Sequence, residues 1–507
     1  MATPPVAQRR FHVAAVVTVV TVVVVRVVGL DSTPGEWYGD ISTLYEYSEA
    51  LGHGDVPPGL YVLGVGPLYP QLLRPFLWIL GETYLTIKLA SVAFSLLGLL
   101  LLYRFARRLV DRETALAATA IGGTMSWWLV YSRLGDLQAL VPPLMIATLS
   151  ATVLAIRTRD EWTTSALAGG LATLGIYLYG NTFVLPIIVA LAFLVAWRLH
   201  RIGWRDLAAA AGASLVVAVP MLRELIVDSR AVLHGHVGQR MVDGADLLPT
   251  LVRGYREALC AYVRVGDGSF RGNAPFAAHV DHLTAVLAVV GIVWWLRGGR
   301  RLQGIFLLGS FLLLHLPSVL AGVQEVPSVS RTTAAAPLVA LFAAAGLTWV
   351  ATVVHRTVRV STATVTVVVV VLIGAVNVHH YFGDYVPGLP YGNTSISREM
   401  TDFADTFGGE MTVLVVGVGW RDQMPAVKSV RFPAAHPERI AEEDPNGLDC
   451  GRLAELPRPV VLLWNFEDEL PAPGLAACAD LLGVPRLHHA DNGRPVFRSA
   501  QLGEVAT

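Results

Sequence analysis

The feature that most constrains this chain is a series of long apolar stretches separated by loops whose arginines recur on every second loop. A helix needs about 20 mostly apolar residues to cross ~30 Å of hydrocarbon. Eleven stretches read as such spans, starting near Phe11, Tyr84, Thr114, Leu137, Thr164, Thr182, Leu207, Leu283, Leu302, Ala334 and Ser361, the last ending near Val378. One set of loops holds Arg9 and Arg10; Arg104, Arg107, Arg108 and Arg112; Arg157 and Arg159; Arg198, Arg201 and Arg205; Arg297, Arg300 and Arg301; and Arg356 and Arg359. The short turns of the other set carry Arg133 and Arg331 and little else. Basic residues collect on the cytoplasmic side, so the alternation predicts a cytoplasmic N-terminus and places everything after Val378 outside. Composition agrees. Hydrophobic residues make up 54% of the chain and charged residues 15%, against roughly 25% charged in soluble domains. A net charge of −1 excludes a nucleic-acid partner held by a basic surface. The first stretch follows Arg9 and Arg10 as a cleavable signal would, but it runs on to Leu30 without a small-x-small site, which predicts an anchor.

Three exterior segments are too long to be turns: 31–83, 227–282 and 379–507. In the first, Leu60 to Val65 and Leu72 to Leu80 are too short to span and read as interfacial helices. The last has soluble composition. Its apolar runs, Met411 to Val418 and Pro459 to Trp464, read as buried strands, and Ser397 to Phe407 and Pro473 to Leu482 as helices, which predicts a small α/β domain. Cys450 and Cys478 both fall there, on the oxidising side, where a disulfide between them is plausible, whereas Cys260 stands alone. The expected fold is an all-α polytopic membrane protein of about eleven transmembrane helices over 1–378, with a small extracytoplasmic α/β domain over 379–507.

No P-loop, dinucleotide glycine fingerprint or CxxC pair occurs, so chemistry is expected outside or within the membrane. Asp40 lies about ten residues beyond the first stretch, among Trp37, Tyr38, Tyr45 and Tyr47. Aromatic rings beside a carboxylate suit a carbohydrate, since rings stack on sugar faces and the carboxylate accepts hydroxyl protons. The same position also suits a helix N-cap. Arg133 and Asp136 share one tight exterior turn, which alone reads as a snorkelling arginine and a capping aspartate. Arg331 is a lone cation in a depleted loop and suits either an anionic group such as a lipid phosphate or interface anchoring. The exterior histidines, His234, His236, His279, His282, His379 and His380, form no HExxH or other tight ligand set.

Arg26 to Pro34 followed by Gly39-Asp40, then Gly66-Pro67-Leu68-Tyr69-Pro70, Leu80-Gly81, Ile87-Lys88-Leu89-Ala90-Ser91, Tyr103 to Leu109, Tyr131-Ser132-Arg133 and Gly175 to Tyr179 together resemble the multi-spanning GT-C glycosyltransferases. The closest branch is the protein-mannosyltransferase and aminoarabinose-transferase type. The resemblance covers roughly Arg26 to Phe193, with a weaker echo at Arg331 to Gly346. It implies transfer of a sugar from a polyprenyl-phosphate donor to an envelope glycan, lipid or protein acceptor, with inversion at the anomeric carbon. It implies Asp40 as the general base, Asp136 as a second acid, and Arg331, Arg133 or Lys88 at the donor phosphate. Trp37, Tyr38, Tyr69 and Tyr179 are the candidate substrate-binding aromatics. Many relatives follow the first-loop aspartate with glutamate, whereas Ile41 stands here. A divalent metal of the kind relatives carry therefore does not follow from this pattern, no other cofactor is indicated, and the departure argues against the protein-O-mannosyltransferase subgroup itself.

The sequence thus predicts a multi-pass glycosyltransferase of the cell membrane. An O-antigen-ligase or polymerase type would instead centre on Arg240, Arg271 and His279 in a late loop. A transporter or flippase would place polar or broken helices at the midplane with repeat symmetry, whereas these stretches are uniformly apolar.

Overall fold

In the computed structural model, which describes residues 5–35, 39–57, 59, 65–158, 161–227, 247–270, 272–320, 326–389, 393–417, 424–456 and 458–502, the apolar stretches are helices. The chain forms two units. One comprises Met1–Leu30, Ala50–Arg74 and Lys88–Tyr385; the other comprises Asp31–Glu49, Pro75–Ile87 and Val386–Thr507. The unit that holds the C-terminal region therefore also takes two pieces of the first long loop.

In chain order the helices are α1 (Pro5–Val27), α2 (Gly39–His53), α3 (Leu68–Leu80), α4 (Tyr84–Leu109), α5 (Arg112–Thr124), α6 (Ser126–Leu134), α7 (Val141–Thr158), α8 (Trp162–Leu174), α9 (Leu185–Arg198) and α10 (Trp204–Val227). They continue with α11 (Leu247–Cys260), α12 (His282–Trp295), α13 (Arg301–Leu313), α14 (Leu316–Leu320), α15 (Val329–Thr332), α16 (Ala336–Val358) and α17 (Thr362–His379).

Among the described residues, 8 helical segments are long and apolar enough to cross a membrane. Three of the stretches read as spans from the sequence are shorter: α5 and α8 have 13 residues each and α12 has 14. The reason is local. α5 stops at Met125, whose ψ of 120° turns the chain out of the helix before α6 begins. α8 tightens into a 3-10 turn over Gly175–Tyr177. Apolar length in a sequence does not distinguish one continuous helix from two pieces. Of the interfacial helices, α3 leaves Trp78, Ile79 and Leu80 exposed, the arrangement expected at a lipid surface. Most of the other, Leu60 to Val65, lies outside the described residues.

Two devices hold the helices of this unit at close quarters. α12 and α16 cross at glycines: a Cβ on Gly291 would collide with the carbonyl of Phe342, and one on Gly346 with that of Leu287. Lipid gives no hydrophobic drive between helices, so close backbone approach supplies the contact instead. At Pro220 in α10, the Tyr177 hydroxyl enters the helix ladder, donating to Val217 O at 2.7 Å and accepting from Met221 N at 3.1 Å. It replaces a bond the distorted turn lacks.

The other unit is built on a five-stranded sheet ordered β2-β1-β3-β5-β4, with β1 (Thr412–Val416), β2 (Ile440–Glu443), β3 (Val460–Asn465), β4 (Arg486–His489) and β5 (Pro495–Gln501). β1 runs parallel to β2 and β3, and β5 antiparallel to β3 and β4. Side chains alternate across it. Val413, Val415, Val461 and Leu463 pack on one face with Ile396, Met400 and Ala404 of α18 (Ile396–Asp405). Leu414, Val416, Leu462 and Trp464 pack on the other with Leu453 of α20 (Cys450–Glu455) and Leu475. Between them in sequence lies the short α19 (Val427–Arg431). Cys450 is disulfide-bonded to Cys478, joining α20 to the Pro473–Leu481 segment on that second face, while Cys260 is free.

Candidate active site

The predicted residues divide between the units. Asp40 stands exposed in the first turn of α2, in the unit with the sheet. A carboxylate there also suits the positive end of the helix dipole. Trp37 and Tyr38 lie outside the described residues. Tyr45, one turn on, donates to Glu82 Oε2 at 2.7 Å, and burial together with that carboxylate holds its phenol well above the ordinary range.

Lys88, Arg133, Asp136, Tyr69, Tyr179 and Arg331 belong to the helical unit. Two of its cations close the C-terminal end of α1. Arg133, fully buried, donates from Nη1 to Val25 O at 2.9 Å, from Nη2 to Val28 O at 2.8 Å and from Nε to the Tyr381 hydroxyl at 3.0 Å. Lys88, also buried, donates to Leu30 O at 3.0 Å. The last carbonyls of a helix lack partners within it, and a cation there is favoured by the dipole. Arg133 does not snorkel to an interface; it is built into the helix packing, because its planar fork reaches two carbonyls at once. A third cation, Arg26 of α1 itself, donates to Ser95 Oγ at 3.0 Å and to the carbonyls of Val22 at 3.0 Å and Gly123 at 2.6 Å. It was not singled out in the sequence, although an arginine inside an apolar stretch is the visible signal.

Beyond α1, a chain of hydrogen bonds joins α3, α4, the turn after α6, the turn at Tyr179 and α15. The Tyr69 hydroxyl contacts Ser91 Oγ at 3.1 Å and Gly135 O at 3.3 Å, and Ser91 Oγ donates to Asp136 O at 3.4 Å. Ser91 is one turn beyond Lys88 on the same face of α4. Gly135 ends α6 at φ 87°, a left-handed stop, and the Asp136 carboxylate then caps the next turn by accepting from Gln138 N at 2.9 Å. The Asn181 amide donates to Gln138 Oε1 at 3.2 Å and to Ser330 O at 3.0 Å. A backbone carbonyl only accepts, so this bond fixes which end of the Asn181 amide is nitrogen. Tyr179 opens the turn that carries Asn181, its carbonyl accepting from Thr182 N at 3.0 Å.

Ser330 precedes Arg331, which is half-buried in α15. Asp267 Oδ2 accepts from Val329 N at 3.0 Å and Trp127 Nε1 donates to Val329 O at 3.2 Å, so the segment carrying Arg331 is held from three sides. The structure thus connects Tyr69, Asp136, the Tyr179 turn and the Arg331 segment. Ser91, Gln138 and Asn181, which join them, were missed. Ser91 had a signal, its helical spacing from Lys88, and single amides at span ends have none.

His279 is fully buried, with its ring 5.3 Å from that of Trp127 and 5.6 Å from that of Tyr262. Burial, and then the nearby His315, push its pKa down to about 3, so it is neutral at any physiological pH. Arg240, Arg271, His234 and His236 lie outside the described residues. Among the described residues, no three His, Cys, Asp or Glu side chains gather in a way that could hold a metal ion.

Residues 64–223 match the family model of dolichyl-phosphate-mannose-protein mannosyltransferase. The match begins after Asp40-Ile41, so it and the departure at Ile41 concern different parts of the chain. No curated protein sequence matches significantly. Among solved structures, ArnT from Cupriavidus metallidurans bound to undecaprenyl phosphate is similar with TM-score 0.60 at 15% identity, over 97% of this chain and 98% of that one. Its apo state gives 0.58 at 14%, over 96% and 97%. The apo oligosaccharyltransferase of Archaeoglobus fulgidus gives 0.50 at 13%, over 96% of this chain and 74% of that one. Identities this low carry the fold and not residue roles. The chain thus shares the fold of these structures along nearly its whole length and carries that mannosyltransferase family pattern across the helices from α3 to α10.

Proposed function

We propose that this protein is a membrane glycosyltransferase that moves a sugar from a polyprenyl-phosphate donor to a hydroxyl of an envelope glycan, lipid or protein acceptor, with inversion. The observation that carries the reading furthest is the hydrogen-bonded set in the helical unit. It ties Tyr69, Asp136, the Tyr179 turn and the Arg331 segment together one turn from Lys88. The polyprenyl-phosphate carrier is supported by the undecaprenyl phosphate bound to the similar ArnT.

In this reading the Asp40 carboxylate takes the proton of the acceptor hydroxyl as its oxygen attacks the anomeric carbon. The bond from that carbon to the donor phosphate breaks, and polyprenyl phosphate leaves with the electron pair. Lys88 and Arg331 offset the charge on the departing phosphate, while Arg133 positions the end of α1. Asp136 serves as a second acidic residue and Tyr69 and Tyr179 line the sugar. Residues 1–378 form the membrane module and 379–507 an extracytoplasmic domain, with the N-terminus cytoplasmic as the arginine alternation predicts.

The test is transfer by purified protein in nanodiscs, from a panel of polyprenyl-phosphate sugars to extracted envelope acceptors. Wild type is expected to transfer, and a folded Asp40→Asn variant to lose about 10²–10⁴-fold in rate. Undiminished transfer by that variant removes Asp40 as the base.

A further inference from the structure

The backbone on both sides of Asp40 is held by side chains that come from the far end of the chain, all within the unit that contains the sheet. Upstream, Gly35 N donates to Asn393 Oδ1 at 2.7 Å, and Asn393 Nδ2 donates to Ser32 O at 3.0 Å. Gly35 N–H only donates and Ser32 O only accepts, so the amide has one possible orientation. The fit is close, because a Cβ on Gly35 would collide with Asn393 O. Arg398 adds two contacts to the Asp31 carboxylate, at 3.2 and 3.3 Å, and one to the Asp31 carbonyl at 3.3 Å. Downstream, Ser42 Oγ and Ser429 Oγ meet at 2.9 Å, both fully buried. Next to them Lys428 Nζ donates to Thr43 Oγ1, the Tyr84 hydroxyl donates to Ser429 O, and the Tyr45 ring meets Phe432 edge-on at 4.2 Å.

We propose that Asn393 and Ser429 are positioning residues for Asp40, setting the place of its carboxylate through Gly35 five residues before it and Ser42 two residues after it. This rests on Asp40 being the base. A base must stand within about 2.6–3.2 Å of the hydroxyl it deprotonates, and a displacement of about 1 Å costs on the order of 10²-fold in rate. The segment before Asp40 has no regular secondary structure of its own from Asp31 to Gly35, so tertiary contacts decide where it lies. The work of the C-terminal region is then to hold the carboxylate at a fixed place. Exposed pairs such as Arg398 with Asp31 contribute little, so the buried serine pair and the doubly bonded amide carry the effect.

The test compares Asn393→Gly and Ser429→Ala with wild type and Asp40→Asn, all full-length in nanodiscs. Asn393 sits at φ 70°, which glycine adopts without strain, so Asn393→Gly removes only the side chain. Two readouts are needed: kcat and donor KM for transfer, and amide hydrogen exchange of residues 39–49 against β1 and β3. The expected result is kcat lower by about 10–100-fold with donor KM unchanged. Exchange of 39–49 should be faster and that of the strands as in wild type. Exchange of 39–49 at the wild-type rate in both variants overturns the proposal, as does wild-type kcat despite faster exchange. Full transfer by Asp40→Asn overturns the assignment of the base instead, and the exchange arm reads the anchoring independently of it. Should Asn393→Gly not fold, shown by faster exchange in the strands, Ser429→Ala alone decides.

Discussion

The side-chain oxygen of Asn377, in α17, accepts the backbone N–H of Ser126 at 3.0 Å and so closes the break between α5 and α6. The same amide donates to Asp281 Oδ2 at 2.7 Å, and Asp281 caps α12 by accepting from Thr284 N at 2.8 Å. One buried amide therefore serves a helix break and a helix cap together. Asn377→Leu leaves both groups without it, and a buried polar group left unsatisfied costs about 1–3 kcal/mol. The variant is expected to unfold at a clearly lower temperature in detergent than wild type, while Val376→Leu on the exposed side of the same helix leaves the midpoint unchanged.

The α12–α16 crossing has no room for a methyl group at Gly291 or Gly346. Gly291→Ala forces the two backbones apart and is expected to cost about 1–3 kcal/mol, the usual penalty of overpacking. Gly309→Ala, at a glycine with open space around its Cβ position, is the matched control and is expected to be neutral or slightly stabilising. Thermal midpoints of the two variants separate the effects.

Arg133 and Lys88 should fail differently. An ammonium in place of the guanidinium cannot reach Val25 O, Val28 O and Tyr381 together, so Arg133→Lys is expected to lose about 2–4 kcal/mol of stability. Lys88→Met removes a cation proposed to meet the donor phosphate. It is expected to weaken binding of polyprenyl phosphate by about 10–100-fold, from a charged hydrogen bond of ~1.5–3 kcal/mol. Titration of polyprenyl phosphate against both variants distinguishes them, since Arg133→Lys protein that remains folded keeps the wild-type affinity.

His488 gives the sheet unit a pH dependence. Its ring stacks on Phe497 at 4.4 Å, and burial, followed by the charges of Arg486 and His489, holds its pKa below the ordinary 6.5. The unfolded chain therefore binds a proton that the folded one resists. The stability that depends on a neutral His488 is complete above pH 6.5 and is lost as the pH falls below it. Wild type is expected to lose thermal midpoint between pH 7 and pH 5.5 more steeply than His488→Gln; equal slopes would remove His488 as the cause.

The helical scaffold was legible because each stretch carries its own signal, an apolar run with arginines at alternate ends. All eleven predicted starts fall at or close to helical segments, and the errors lie in continuity, at Met125 and after Leu174, where Gly122-Gly123 and Gly175 beside the breaks were passed over because the apolar run continues through them. In the sheet unit, β1 and β3 were visible because both of their faces are covered and the runs are wholly apolar. β2 and β4 were not read, since the edge strands Ile440–Glu443 and Arg486–His489 carry charges and histidines toward solvent, and the interior β5 was not read because Arg498 and Ser499 interrupt its apolar run. At the site, Asp40, Asp136 and Arg331 could be picked out as charges near span ends. Asn181, Asn393 and Ser429 could not, because their roles come from contacts across more than 40 positions of sequence.

The bond between Ser42 and Ser429 joins positions 387 residues apart. At 5–20 residues per second, synthesis of the intervening chain takes roughly 20 s to over a minute. During that time the segment from Asp31 to Glu49 has emerged while the partners that complete its unit have not been made. Each newly made molecule therefore passes through an interval in which the chain around Asp40 is without its eventual neighbours. The last stretch to be translated decides when that interval ends, so a ribosome that stops short of Ser429 leaves a full set of membrane helices and an unassembled first loop.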